Sequence, residues 1–364
     1  MSPPIRRNSP RMFSAITDEE RACARRAEKG SGVGKRAAHI GLRALADLAT
    51  PMAVRVAATL RVADHIAAGH RTAEEIASAA GAHADSLDRL LRHLVAVGLF
   101  TRDGQGVYGL TEFGEQLRDD HAAGKRKWLD MNSAVGRGDL GFVELAHSIR
   151  TGQPAYPVRY GTSFWEDLGS DPVLSASFDS LMSHHLELDY TGIAAMYDWA
   201  ALGHVVDVGG GSGGLLSALL TAHEDLSGTV LDLQGPASAA HRRFLDAGLA
   251  GRAQVVVGSF FDPLPAGAGG YVLSAVLHDW DDLSAVAILR RCAEAAGSAG
   301  VVLVIEAVAG DEHAGTGMDL RMLTYFGGKE RSLAELGELA ARAGLAVRAA
   351  HPISYVSIVE MTAL

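Results

Sequence analysis

Two short stretches of the chain hold residue types that could do chemistry. The first is Val205-Val206-Asp207-Val208-Gly209-Gly210-Gly211-Ser212-Gly213-Gly214: an apolar run broken by a carboxylate, then five glycines in six positions. Glycines directly after a strand let the backbone turn sharply. They also let a ligand approach the next helix N-terminus with no Cβ in the way. The second stretch, Val276-Leu277-His278-Asp279-Trp280-Asp281-Asp282, follows another apolar run. A histidine, with its ordinary pKa of about 6.5, suits a general base at neutral pH and can take a proton from a phenol. The acids beside it raise a metal-site alternative. Consecutive residues seldom converge on one ion, however, and Asp281 and Asp282 fit a helix start, where carboxylates favour the dipole. No metal is expected.

The glycine run taken alone fits two ligands. Gly209, Gly211 and Gly214 satisfy the dinucleotide pattern, with Asp232 placed about twenty residues on as a ribose partner. An NAD-linked oxidoreductase is therefore the competing reading. Three features favour S-adenosylmethionine. Asp207 lies two residues before the first glycine, where a carboxylate attracts an ammonium and repels a pyrophosphate. The run comes after about 200 residues of largely helical pattern, whereas NAD folds usually begin with it. The chain also closes on a hairpin that would supply the antiparallel edge strand of a class I methyltransferase sheet.

The elements that must position these residues are legible as alternation. Strands are expected at His204–Val208, Thr229–Leu233, Ala253–Val257, Tyr271–Ala275 and Val301–Glu306, with helix-length segments between them. That is the βαβ pattern of a parallel sheet covered on both faces. Two more strands, Ala346–His351 and Tyr355–Thr362, form the closing hairpin. Upstream, Leu45–Ala68 has helical apolar spacing with a break near Pro51. Two short helices, opened by Thr72 and Asp85 as capping residues, flank Gly81-Ala82-His83. A hairpin, Leu99–Arg102 with Val107–Leu110, completes a winged-helix outline. Between about Lys125 and Tyr197 the pattern is helical again, with an aromatic-rich loop at Tyr156–Trp165.

A winged helix invites a DNA-binding reading. The would-be reading helix carries Arg89, Arg92 and His93, but also Asp85 and Asp88 and an apolar face. That is poor equipment for phosphates and base edges. Charge points the same way: the net is -10, with nine basic against four acidic residues up to Arg36 and an acidic body after it. The basic leader is expected to be a frayed, solvated extension. At 364 residues, two folding units are the natural expectation. With 48% apolar residues and 21% charged, the chain can bury a sizeable core. No run of eighteen apolar residues and no signal-peptide pattern is visible, and two cysteines, Cys23 and Cys292, cannot build a disulfide scaffold. A soluble cytoplasmic enzyme is expected.

Several motifs in a fixed order give a more specific reading. Tyr160–Trp165, Val206–Gly213, Leu231-Asp232-Leu233, Leu277–Trp280 and Gly327–Ser332 together resemble the caffeate-type S-adenosylmethionine-dependent O-methyltransferases. The likeness is greatest to the bacterial branch that tailors polyketides and other aromatic natural products, and it spans roughly residues 40 to 364. The resemblance implies an α/β fold: a Rossmann-like sheet with an antiparallel C-terminal edge strand, preceded by a helical winged-helix domain. Its layout would be a flexible basic extension over 1–36, a dimerisation domain over 37–120 and a catalytic domain over 121–364. Within the last, 121–200 would be a helical linker and substrate region, and 201–364 the Rossmann-like core.

By the same resemblance, Asp207 and Gly209 hold the methionine end of S-adenosylmethionine and Asp232 the ribose hydroxyls, with Gly211 and Leu233 as further cofactor-binding residues. Ser259 and Phe260 recognise adenine, with Ser274 and Trp280 near it. His278 falls on the catalytic base, with Glu306 and Glu330 flanking it, and Phe178, Met182 and Met322 fall on the apolar wall of the acceptor pocket. The implied partners are a small phenolic substrate and a second copy in a homodimer, with no nucleic acid, membrane or metal. The chain departs from the family at Gly258-Ser259-Phe260-Phe261, where Asp usually stands in place of Ser259, and at Ala266–Gly270, which lacks an expected acid. Some relatives keep fold and cofactor, lack the base histidine and do other chemistry such as hydroxylation. The presence of His278 argues for methyl transfer.

Overall fold

The apolar runs of the C-terminal half build one seven-stranded sheet. The computed structural model describes residues 41–185, 189–308 and 316–364; the expectation for the leader, 1–36, lies outside the described residues. The strands are β1 (Phe100–Arg102), β2 (Tyr108–Leu110), β3 (His204–Val208), β4 (Ser227–Asp232), β5 (Ala253–Val257), β6 (Gly270–Ser274), β7 (Val301–Glu306), β8 (Leu345–Ile353) and β9 (Val356–Ala363). β1 and β2 pair as the wing; the others run in the order β5-β4-β3-β6-β7-β9-β8. β3 through β7 are mutually parallel. The closing hairpin forms as expected, and its last strand lies antiparallel between β7 and β8. The antiparallel strand therefore sits one place in from the edge.

Continuous Val and Leu runs suit strands whose two faces are both covered by helices. In β3, Val206 and Val208 enter one core with Leu273, Val304 and Leu336, while Val205 enters the opposite core with Leu216, Leu219 and Phe244. The order also reverses at β3: β4 lies on one side and β6 on the other. Ligand crevices in doubly wound sheets open at such a switch, outside the carboxyl ends of the strands.

Residues from Ala57 to Leu117 bury a further core built on Ile66, Ile76, Leu87, Leu91, Phe100 and Tyr108. Two local expectations are corrected here. Pro51 does not break the helix but lies in the first turn of Ala49–Thr59, where its missing N–H costs nothing. The break comes at Arg61, in left-handed conformation at φ 53. The second short helix, Ala84–Ala96, is capped by the His83 ring rather than by Asp85, whereas Thr72 caps the first with a full capping box. The aromatic stretch expected as a loop includes a short helix, Tyr156–Tyr160. Leu48–Leu364 is one compact unit; the described part of Met1–Asp47 holds a single helical turn, Leu42–Leu45. Among the described residues, no helix is long and apolar enough to cross a membrane.

Candidate active site

Parallel strands put their carboxyl ends on one edge, and the expected site residues follow that edge. Asp207 is in β3 with Gly209 just beyond it, Asp232 ends β4, Ser259 follows β5, Ser274 ends β6 and Glu306 ends β7. The β3 loop turns through three left-handed glycines, Gly209, Gly211 and Gly213, at φ 72, 57 and 75. A Cβ on Gly213 would come within 2.7 Å of Phe244, and one on Gly209 would reach Val276 at 3.0 Å and Phe260 at 3.5 Å. The glycine loop thus packs against the segments that carry His278 and Phe260. Gly210 makes a different allowance: a Cβ there would meet the Asp207 carboxyl carbon at 2.5 Å.

Asp207 is 2% exposed, and neither carboxylate oxygen has a hydrogen-bond partner. Burial, with the nearby Asp232 charge, pushes its carboxyl up to about 7; the Leu216 N–H, near the carboxylate but outside hydrogen-bonding geometry, opposes this weakly. A buried carboxylate left this way asks for a cation or a strong donor. Asp232 is fixed instead: it accepts the Gly211 N–H at 2.8 Å and the Leu233 N–H at 2.6 Å. Leu233 itself projects outward, 61% exposed. The Ser259 hydroxyl oxygen accepts the Phe261 N–H at 3.2 Å, which leaves its own O–H free to donate. Phe260 meets Trp280 edge to face at 5.7 Å, so the β5 loop and the turn after β6 do come together.

The chain leaves β6 through Ala275, a non-glycine residue at φ 52. Left-handed alanine costs about 1–2 kcal/mol, a local strain that the surrounding contacts must over-determine. It ends the strand one residue earlier than expected and swings the chain into the turn Leu277–Asp279. Glu306 then acts beneath that turn: its Oε1 accepts the Leu277 N–H at 2.6 Å and the His278 N–H at 3.1 Å. The imidazole meets the other glutamate, His278 Nδ1 lying 3.0 Å from Glu330 Oε1, while Nε2 lies 3.5 Å from Asp279. Glu330 therefore holds the ring and Glu306 holds its backbone. Burial works against a charged imidazole, but Asp279, the Glu330 bond and Glu306 outweigh it and hold His278 above its ordinary value. Asp281 caps the next helix and Asp282 pairs with Arg331, so these acids do not converge on an ion. Among the described residues no group of three or more His, Cys, Asp or Glu side chains is placed to hold a metal.

Phe178, Met182 and Met322 come from two helices, Pro172–His185 and Thr316–Phe326. Phe178 packs at 5.6 Å on both Phe164 and Trp165. Met322 is 5% exposed, and its carbonyl accepts the Gly328 N–H at 3.1 Å. Trp165 lies nearly parallel to Trp280 at 6.4 Å, and its buried Nε1 has no partner. This ring joins Phe164 and Phe178 to Trp280. The sequence placed Trp165 in a motif but gave it no part in the site.

With that geometry in place, comparison with known proteins is decisive. Residues 142–346 match the O-methyltransferase domain model, and residues 42–119 match the O-methyltransferase dimerisation domain.

The chain belongs to the O-methyltransferase family.

Over 332 residues, 91% of this chain and 100% of the relative, it is 98% identical to the 2,7-dihydroxy-5-methyl-1-naphthoate 7-O-methyltransferase of Streptomyces carzinostaticus. It is 46% identical, over 84% of each chain, to aclacinomycin 10-hydroxylase of Streptomyces purpurascens. A crystal structure of an O-methyltransferase from neocarzinostatin biosynthesis, in complex with S-adenosylmethionine and 2-hydroxy-5-methyl naphthoic acid, superposes with a TM-score of 0.87 at 97% identity. The match covers 90% of this chain and 100% of that one. The protein is an S-adenosylmethionine-dependent O-methyltransferase that methylates an aromatic hydroxyl of a secondary metabolite. The fold and cofactor expected from the motifs are those of the family, and the NAD-linked reading falls away.

Several residues around this site had no role assigned from the sequence, although Gly328 and Arg331 lie in the Gly327–Ser332 motif. Tyr190 opens the helix over the glycine loop: a Cβ on Gly214 would reach its ring at 3.0 Å, and burial with the Asp207 charge pushes its phenol up to about 12. Gly328 is needed because a Cβ there would overlap the His278 carbonyl oxygen. Arg331, 1% exposed, donates to the carbonyls of Leu277 and Trp280. Each of these acts through a contact distant in sequence, which spacing cannot reveal.

Proposed function

We propose that the acceptor is a hydroxylated naphthoic acid and that His278 is the base that takes the proton from its reacting hydroxyl. The observation that carries the acceptor is the 98% identity, over the full length of the relative, to a dihydroxynaphthoate 7-O-methyltransferase. The observation that carries the base is the imidazole held by Glu330 at 3.0 Å on a turn whose backbone Glu306 grips.

S-adenosylmethionine, when bound, supplies a methyl group activated by its sulfonium. The residues that would hold it fit its chemistry. The buried Asp207 carboxylate suits an ammonium, and Asp232, already oriented by Gly211 and Leu233, suits ribose hydroxyls. Gly209 and Gly211 admit the methionine end, while Ser259, Phe260, Ser274 and Trp280 offer a hydroxyl donor and ring faces for adenine. Methyl transfer is an in-line displacement, so the protein mainly positions two reactants and removes one proton. Glu330 orients the imidazole and stabilises its cation after it takes the proton. Phe178, Met182 and Met322 hold a flat ring system by contact rather than by hydrogen bonds. We further propose that the enzyme works as a cytoplasmic homodimer; the dimerisation-domain match supports the assembly, and the small-molecule biosynthetic relatives are consistent with the location.

The hydroxylase relative gives the second reading a definite form. Incubation with S-adenosylmethionine and a dihydroxynaphthoic acid, followed by mass spectrometry, separates the two. A gain of one methyl mass, with S-adenosylhomocysteine formed in equal amount, is expected. A gain of one oxygen mass would overturn the proposal.

A further inference from the structure

We propose that Arg331 is a positioning residue for proton removal: it ties the turn that carries His278 to the loop that carries Glu330, and so fixes the register between base and carboxylate. The inference rests on the reading of His278 as the base. The Arg331 side chain is 1% exposed, and its guanidinium is engaged on that turn. Nη1 donates to the Leu277 carbonyl at 2.8 Å, and Nη2 donates to the Trp280 carbonyl at 2.7 Å and to Asp282 Oδ1 at 2.9 Å. Nε reaches the same Asp282 oxygen at 3.2 Å. Leu277 and Trp280 are the residues on either side of His278-Asp279.

The physical need is plain. Within the turn the Leu277 carbonyl accepts the Trp280 N–H at 3.1 Å, but the turn offers no donor to the Trp280 carbonyl, and a buried carbonyl left without a donor is costly. A planar guanidinium fork reaches two diverging carbonyls and a carboxylate at once; an ammonium is a single point charge and cannot hold that geometry. Arg331 follows Glu330 directly in sequence, so the anchor of the turn and the partner of the ring are adjacent residues. The same loop adds the Lys329 N–H to the His278 carbonyl at 2.9 Å. At its far end Ser332 opens the next helix with a capping box, which fixes where the loop stops. The charged groups facing His278 are Asp279 on its own turn, Glu306 from β7 and Glu330 from this loop, and the Arg331 charge offsets that of Glu306.

The test uses the full-length enzyme with S-adenosylmethionine and 1,4-dihydroxy-2-naphthoic acid as the probe acceptor. In Arg331→Lys, kcat is expected to fall about a hundredfold, the scale of a misplacement of about 1 Å. The calorimetric Kd for S-adenosylmethionine should stay within about twofold, because the cofactor residues are not touched. The acid limb of kcat against pH should move down. The Glu330 contact raises the His278 pKa, and the base acts in its neutral form, so loosening that contact lets it act at lower pH. Wild-type kcat with an unmoved limb would overturn the inference. So would a loss of kcat matched by equal losses in Kd and Tm with no movement of the limb, the result of a merely structural residue. If Arg331→Lys does not fold, Asp282→Asn carries the test, since the Asp282 side chain is 55% exposed and its loss only loosens the fork. It should lower kcat several-fold and move the limb the same way; an unchanged profile would overturn the inference. His278→Ala run in parallel separates the two claims. Full turnover there removes the base reading itself, whereas loss of turnover there with an indifferent Arg331→Lys removes only this inference.

Discussion

The turn that carries His278, the proposed base, and the glycine loop proposed to cradle the cofactor are built on opposite principles, although both lie at the carboxyl ends of neighbouring strands. Around His278 the polar groups are largely bonded within the protein: Glu306 takes two backbone N–H groups, Arg331 takes two carbonyls, and Glu330 takes the ring. Glu330 Oε2 is buried there without a partner. In the cradle, both oxygens of Asp207 are buried and unbonded. His278 is thus organised by the fold, while the Asp207 carboxylate is buried with its charge left uncompensated, as the proposed ammonium contact requires. Rigidity serves proton transfer, where geometry sets the rate; an unsatisfied carboxylate serves affinity, where the ligand completes the charge.

The sharpest way to break this contrast is to compare stability with affinity. Glu306→Ala strips the acceptor from two buried N–H groups, at about 1–3 kcal/mol each, so Tm should fall and kcat with it. Asp207→Asn should do the reverse for stability: S-adenosylmethionine affinity should drop about 10- to 100-fold, the scale of a bond to a charged group, while Tm holds or rises because a buried charge is gone. Equal destabilisation by both changes would erase the distinction.

A smaller effect should appear in pH. Asp207 is raised from its usual value to about 7, and a cationic ligand prefers its ionised form. Affinity for S-adenosylmethionine should therefore rise as pH climbs towards about 7 and level off above it, with proton release on binding below that pH. Calorimetry in buffers of different ionisation enthalpy reads that release. A flat profile from pH 5 to about 8 would show that Asp207 is charged throughout. The smallest effect is expected at Ala275. Replacing it with glycine removes a left-handed alanine and should change stability by less than about 1 kcal/mol, in the stabilising direction, by thermal or denaturant unfolding. A large destabilisation would mean that the Ala275 methyl does more than tolerate strain.

The same contrast explains what could be read in advance. The strands were legible because strands covered on both faces become uninterrupted apolar runs. His204–Val208, Ala253–Val257 and Val301–Glu306 have the bounds expected of them, and β6 runs one residue earlier at both ends, starting at Gly270 and stopping before Ala275 turns. The cradle was legible too, since a carboxylate and closely spaced glycines are local in sequence. The base turn was legible only in its histidine. Glu306 and Glu330 came through resemblance, and the division of labour between them, one on backbone and one on ring, depends on tertiary contact. Arg331, Gly328, Trp165 and Tyr190 are of the same kind. Arg61 shows the limit at a smaller scale: neither Gly nor Pro marks the helix break there, whereas Pro51 gave a signal that a first-turn position neutralises.

The most direct test of the account is His278→Ala, assayed for methyl transfer to a dihydroxynaphthoic acid and titrated with S-adenosylmethionine in the same preparation. Turnover should fall by about 10²- to 10⁴-fold, the usual contribution of a positioned general base, while the Kd for the cofactor stays near that of the wild type. Turnover within about threefold of wild type, with cofactor affinity intact, would contradict the assignment of proton removal to this histidine and to the turn built around it.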